Sequence, residues 1–181
     1  MKVKLILINI LLLSGQLFSQ TISRGQGEVY FISDAPLETI EATSKDLIGI
    51  IDLSKMNFAF KVNMTSFDGF NSALQKEHFN EHYIESSIYP NATFAGRLLM
   101  DEVCEKDCKV TAICKGKFNI HGVQQIVSIP VTYSVEDDNI FIEGKFSILL
   151  SDYNIKIPRI VQAKISPEIE ISVNIEMQPE Q

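Results

Sequence analysis

Apolar and polar residues alternate with a period of two along most of this 181-residue chain. Between Lys55 and Thr65, Met56, Phe58, Phe60, Val62 and Met64 share one face, while Lys55, Asn57, Lys61 and Asn63 share the other. Between Lys109 and His121, Val110, Ala112, Cys114, Phe118 and Ile120 alternate with Lys109, Thr111, Lys115, Lys117 and Asn119. The pattern returns at Val127, Ile129, Val131, Tyr133 and Val135, then at Ile140, Ile142, Phe146, Ile148 and Leu150, and last at Ile169, Ile171, Val173, Ile175 and Met177. Successive side chains of a strand point to opposite faces, so this alternation describes antiparallel strands with one wet and one buried face. Glu28–Ile32, Thr39–Thr43, Leu47–Ile51 and Thr93–Met100 are shorter candidates.

The links between these runs are turn-like. Glu136-Asp137-Asp138-Asn139 reads as a tight hairpin, and His121-Gly122-Val123-Gln124-Gln125 as another. About eight strands with short links suit a sandwich or a closed up-and-down barrel. Strands of ten or more residues favour the barrel, whose interior at eight strands holds side chains or one small ligand. The expected fold is therefore all-β: an eight-stranded antiparallel barrel with one short helix or loop segment capping an end.

That capping segment is Phe67–Pro90, which lacks alternation. Ser72-x-x-Gln75 reads as a capping box ahead of good helix formers from Ala73 to Glu81. Phe70, Leu74 and His78 fall on one helical face. Long insertions in a compact domain often carry function.

The chain begins with Lys2 and Lys4, then an apolar run from Leu5 to Leu13 broken only by Asn9, then Ser14-Gly15-Gln16. Charge, a short apolar core and small residues describe a cleaved export signal. The run is too short to span a bilayer, which takes about 20 apolar residues. The expected division is a signal peptide over 1–20, cut after Ser19 or Gln20, and one domain over 21–181, with no membrane anchor in the mature chain. Cleavage removes two lysines and no acid, so the formal charge of −7 becomes −9 over 161 residues. An acidic chain of this kind argues against a nucleic-acid partner, which selects a basic face. The expected compartment is the periplasm or the exterior.

Few residues suggest bond chemistry. His78-Phe79-Asn80-Glu81-His82 matches H-x-x-E-H, in which two histidines a helical turn apart grip zinc and the glutamate acts as base. That mechanism draws a third ligand from a second helix, and no second strong helical pattern exists here. Cys104, Cys108 and Cys114 are an odd set for an exported protein. Six residues along one strand put Cys108 and Cys114 about 20 Å apart, beyond disulfide reach. Cys104 and Cys108 flank Glu105-Lys106-Asp107 and can close that hairpin, leaving Cys114 buried as a small apolar side chain. The three cysteines with His121 lack the C-x-x-C spacing of a zinc site. No catalytic triad, phosphate loop or paired-carboxylate motif stands out, so no catalytic residue, metal or cofactor is expected. Asn63-Met64-Thr65 and Asn91-Ala92-Thr93 are formal glycosylation sequons.

From about Gly27 to Met177 the chain resembles the YceI family of exported bacterial proteins. The resemblance rests on Asn71–Phe94, with Glu77-His78-Phe79, Glu85-Ser86 and Tyr89-Pro90-Asn91-Ala92-Thr93-Phe94. It rests also on Phe118-Asn119-Ile120-His121-Gly122-Val123 followed by Ile129-Pro130-Val131, and on Phe146–Ser151 with Asp152-Tyr153-Asn154-Ile155. Each motif is weak alone; their order and spacing together are specific. The resemblance implies a lipocalin-like barrel that binds a polyisoprenoid or other long-chain lipid without catalysing a reaction.

An apolar interior suits that role, because each buried CH₂ is worth about 0.8 kcal/mol. The inward candidates for the cavity wall are Phe58, Phe60, Val62, Phe94, Phe118, Ile120, Val131, Tyr133, Phe146 and Ile148, though the same side chains would equally fill a solid core. His78 and Tyr83 on the cap are candidates to meet a polar headgroup. Two other readings stay open: a metal-dependent hydrolase built on His78, Glu81 and His82, and a packed barrel with a structural or stress-response role. The expected partner is a lipid or isoprenoid ligand, and a homodimer is compatible with the sequence.

Overall fold

The computed structural model describes residues 22–102, 104 and 106–180. The export signal expected over residues 1–20 lies outside them. Eight strands close into one antiparallel barrel: β1 (Ile22–Ala35), β2 (Glu38–Asp52), β3 (Asn57–Asn63), β4 (Asn91–Leu99), β5 (Cys108–Ile120), β6 (Val123–Glu136), β7 (Asn139–Leu149) and β8 (Glu168–Pro179). Each pairs with the next, and β8 returns to β1. Closure gives every strand a neighbour on each side, though β6 pairs with β7 only from Val131 to Glu136 and β2 with β3 only from Ile48 to Asp52.

Nine candidate stretches become eight strands because Thr39–Thr43 and Leu47–Ile51 are one strand. Ser44, Lys45 and Asp46 interrupt the alternation but not the chain direction. Gly27 pairs with Leu47 and Val29 with Ser44, so Lys45 and Asp46 together oppose the single residue Glu28. This is a β-bulge, and an extra residue in a bulge shifts the phase of the alternation. Ser44 is fully buried there; its hydroxyl meets that of Ser66 at 2.6 Å and accepts from the Asp46 amide at 3.1 Å.

Both anticipated hairpins are two-residue turns with positive φ at each central position, a twist that matches the flanking strands. Asp137 and Asp138 have φ of 49° and 67°, and His121 and Gly122 have 53° and 72°. Gly122 is also crowded: a Cβ there would lie 2.5 Å from the Tyr89 ring.

Antiparallel order sends alternate connections to opposite ends. One end, the mouth, receives residues 36–37, 64–90, 121–122 and 150–167. The other, the floor, receives residues 53–56, 100–102, 104, 106–107 and 137–138. The Glu180 amide donates to the Ile22 carbonyl at 2.7 Å, so the first and last described strands meet at the floor. The two longest connections thus share the mouth, and Cys104–Cys108 joins the floor loop to the start of β5 as a disulfide (Cα–Cα 5.8 Å).

The helix of the cap is shorter than the sequence pattern suggests. It runs over Ala73–His78 (α1) and then widens into a π turn over Phe79–Tyr83. Ser72 caps it, its hydroxyl accepting from the Gln75 amide at 3.1 Å. The Gln75 side chain turns back to the Asn71 amide rather than to that of Ser72, and also donates to Glu38. The π turn rotates the inward face: Leu74 and His78 are exposed, and Phe79, Tyr83 and Ile84 face the barrel instead.

Candidate functional site

An apolar cavity of about 200 Å³ lies inside the barrel beneath the cap. Its wall comes from the inward face of every strand, because period-two strands in a closed barrel point half their side chains at the axis. Of the ten residues named from sequence, Phe60, Val62, Phe94, Phe118, Ile120, Val131, Phe146 and Ile148 line it. Phe58 and Tyr133 do not, and are corrected to the packed floor below. Phe58 stacks on Phe60 at 5.2 Å and meets Phe94 edge-on at 4.8 Å. Tyr133 pairs with Ile142 across β6–β7 and is almost wholly buried. Leu98, Ala112, Ile140 and Met177 fill the rest of that end.

The aromatic wall continues around the barrel. Phe118 meets Phe94, Phe146 and Tyr153 edge-on at 6.2, 6.0 and 5.5 Å. Such edge-to-face pairs add about 0.5–1.5 kcal/mol each beyond their area burial.

A second aromatic group closes the mouth, and sequence reasoning missed it. Phe31 of β1 stacks on Phe79 at 5.5 Å and touches Phe67 and Phe70 at 5.5 and 6.0 Å. Phe70 and Phe79 lie 5.0 Å apart. All four line the cavity, together with Tyr83, Ile84 and, from the β7–β8 connection, Ile155 and Ile165. Phe79 was hidden inside the H-x-x-E-H segment, where the histidines draw attention.

Of the two cap candidates, Tyr83 lines the cavity, and burial raises its hydroxyl above the usual tyrosine pKa. His78 faces solvent instead, and its ring centroid lies 5.3 Å from that of His82. Glu81 and His82 are exposed too. Among the described residues, no group of three or more His, Cys, Asp or Glu side chains is placed to hold a metal ion.

The histidine that the fold engages is His121, in the β5–β6 turn. Its Nε2 lies 2.8 Å from Glu85 Oε2, and its Nδ1 lies 3.0 Å from the Tyr153 carbonyl. Both ring nitrogens thus meet an oxygen, one from the cap and one from the β7–β8 connection. Tyr89 packs edge-on against the ring at 4.9 Å. His121 thereby ties the cap (Glu85, Tyr89), a barrel turn and the start of the β7–β8 connection into one latch. Glu85 itself has φ of 50°, an uncommon conformation held in place by these contacts.

Cys114 is the free thiol, 2% exposed, and it lines the cavity. Burial pushes its pKa up to about 12. At pH 8 the thiolate fraction is then roughly one in ten thousand, and the thiolate is the reactive form. Ellman's reagent at pH 8 is expected to leave the native protein unlabelled and to titrate one thiol per chain after unfolding without reductant. Rapid labelling of the native state would contradict the buried setting.

A second, larger hollow of about 840 Å³ lies on the outer face of β1–β4. Arg24, Lys61 and Glu176 line it together with Ile48, Ile50 and Ala59, so its wall mixes charged and apolar side chains.

A closed up-and-down antiparallel barrel with an apolar interior beneath a capping helix defines the lipocalin-like class. Within that class the chain belongs to the YceI family, whose model, described as a YceI-like domain, matches residues 21–177. Solved structures share the fold. A polyisoprenoid binding domain from Saccharophagus degradans, implicated in plant cell wall breakdown, superimposes with a TM-score of 0.70 at 12% identity, covering 87% of this chain and 98% of its own. Burkholderia cenocepacia BcnA gives 0.69 at 18% identity, covering 83% and 95%. The Campylobacter jejuni YceI protein gives 0.62 at 14% identity, covering 83% and 90%. No match is found among curated protein sequences.

Proposed function

We propose that this chain binds and carries a long-chain lipid or polyisoprenoid in the barrel cavity, without catalysis, in the periplasm or outside the cell. The observation that carries the reading is the apolar, aromatic-walled cavity beneath the capped mouth. Family membership and the polyisoprenoid-binding relative support it. Lys2, Lys4 and the apolar run to Leu13 support the compartment, as does a disulfide, which persists where the surroundings are oxidising.

The size of the cavity shapes the cargo. An apolar cavity of about 150 Å³ stays dry and binds benzene, so about 200 Å³ takes a segment of hydrocarbon rather than a whole long chain. A long cargo therefore enters tail first, displaces the Phe31–Phe79 cluster and leaves its head at the mouth near Tyr83. Native mass spectrometry of gently purified protein, followed by solvent extraction, is expected to show a bound or bindable lipid of defined mass. A protein that neither retains nor takes up long-chain lipid would sink the reading.

A further inference from the structure

The rim of the mouth is divided electrically. Between Asp152 and Glu168 the β7–β8 connection carries Lys156, Arg159 and Lys164 and no acidic residue, in a chain whose formal charge is −7. Across the mouth, the cap carries Asp68, Glu77, Glu81 and Glu85 against Lys76. The basic side also carries the barest apolar side chain in the described structure: Ile160, 92% exposed, in the 3-10 turn Arg159–Val161. Beside it stands Leu37, 72% exposed at the tip of the β1–β2 turn, whose amide donates to the Ala163 carbonyl at 2.9 Å. Asp34 and Glu38 belong to the same hairpin. Lys164 lies 3.7 Å from Glu38, and Asp34, which accepts from the neutral Thr39 hydroxyl at 2.8 Å, stays an exposed anion, so Lys156 and Arg159 give the tip an excess of one positive charge.

We propose that this edge of the mouth is a docking surface for an anionic lipid bilayer. Ile160 and Leu37 enter the acyl boundary while Lys156 and Arg159 meet phosphate headgroups. An apolar tip flanked by cations is the composition that interfacial membrane binding selects, since hydrophobic insertion and attraction to anionic lipid act together. The acidic cap repels the same surface, so the barrel leans with its β7–β8 side down and its cap side away. Ile155 and Ile165 of the same connection line the cavity, so the docked edge borders the entrance. The inference goes beyond cargo binding, because docking needs no cargo and either can fail alone.

Flotation of the full chain with phosphatidylcholine vesicles, with and without phosphatidylglycerol, tests it. The protein is expected to float only with the anionic vesicles. Screening should weaken this binding as salt shortens the Debye length from about 10 Å at 0.1 M. Ile160→Glu, and separately Lys156→Glu with Arg159→Glu, should each reduce partitioning about tenfold or more. These sites are exposed, so circular dichroism and lipid retention should match the wild type. The proposal is overturned if the wild type does not float, or if the variants partition equally. It is also overturned if Ile160→Glu converts a dimer to a monomer on sedimentation without changing flotation, which would assign the tip to a second copy of the chain.

Discussion

Val131→Trp is expected to cost the protein its cargo while leaving the barrel standing. Val131 lines the cavity from β6 opposite Gly144, and an added Cβ at Gly144 would already approach Val131 Cγ1 to 3.2 Å. Val131 lines the cavity, so an indole at position 131 takes up part of the cavity volume. If it displaces three or four methylenes of cargo at about 0.8 kcal/mol each, affinity falls by about 3 kcal/mol, or roughly a hundredfold. Displacement of a fluorescent fatty-acid analogue measures the loss. Ile126→Trp, on the wet face of the same strand, is the control, because Ile126 is exposed. Equal weakening by both variants, or by neither, would place the cargo elsewhere.

The second large effect is expected from His121→Asn. Asparagine tolerates the left-handed conformation that this turn position requires, so the substitution keeps the hairpin and removes only the ring. The Tyr153 carbonyl and the Glu85 carboxylate then lose their donor. An unpaired buried polar group costs about 1–3 kcal/mol. The Glu85 side chain is 44% exposed, so water replaces its lost partner and its share of the loss is small. A loss of about 2 kcal/mol corresponds to a fall in melting temperature of about 4–8 °C for a domain of this size. Hydrogen exchange should quicken over residues 79–90 first, because the latch holds the cap, and bound lipid should dissociate faster. Uniform quickening with unchanged lipid release would make His121 an ordinary core residue.

The barrel was legible because its signal is local and repeated. Each inward residue of Lys109–His121 sits two positions from the next, and the two-residue turns carry their own chemistry in Asp137-Asp138 and His121-Gly122. Legibility failed where one residue out of phase changes the reading. The bulge opposite Glu28 made β2 look like two strands, and the π turn at Phe79–Tyr83 leaves Leu74 and His78 off the inward face that Phe70 keeps. Depth within the barrel was also invisible: Phe58 and Phe60 share a face, yet one packs the floor and the other lines the cavity. The latch lies beyond local pattern altogether, because Glu85 and His121 are 36 residues apart in sequence. Their motifs were visible separately, but nothing in either segment says that they touch.

The hydrogen bond from Glu180 to Ile22 has a practical meaning. Both described ends of the chain leave the barrel side by side at the floor, opposite the mouth. Any tether, fused domain or sensor support joined there grips the molecule by its base and leaves the entrance facing outward. The protein thus has a handle and a working face, set apart by the length of its own strands.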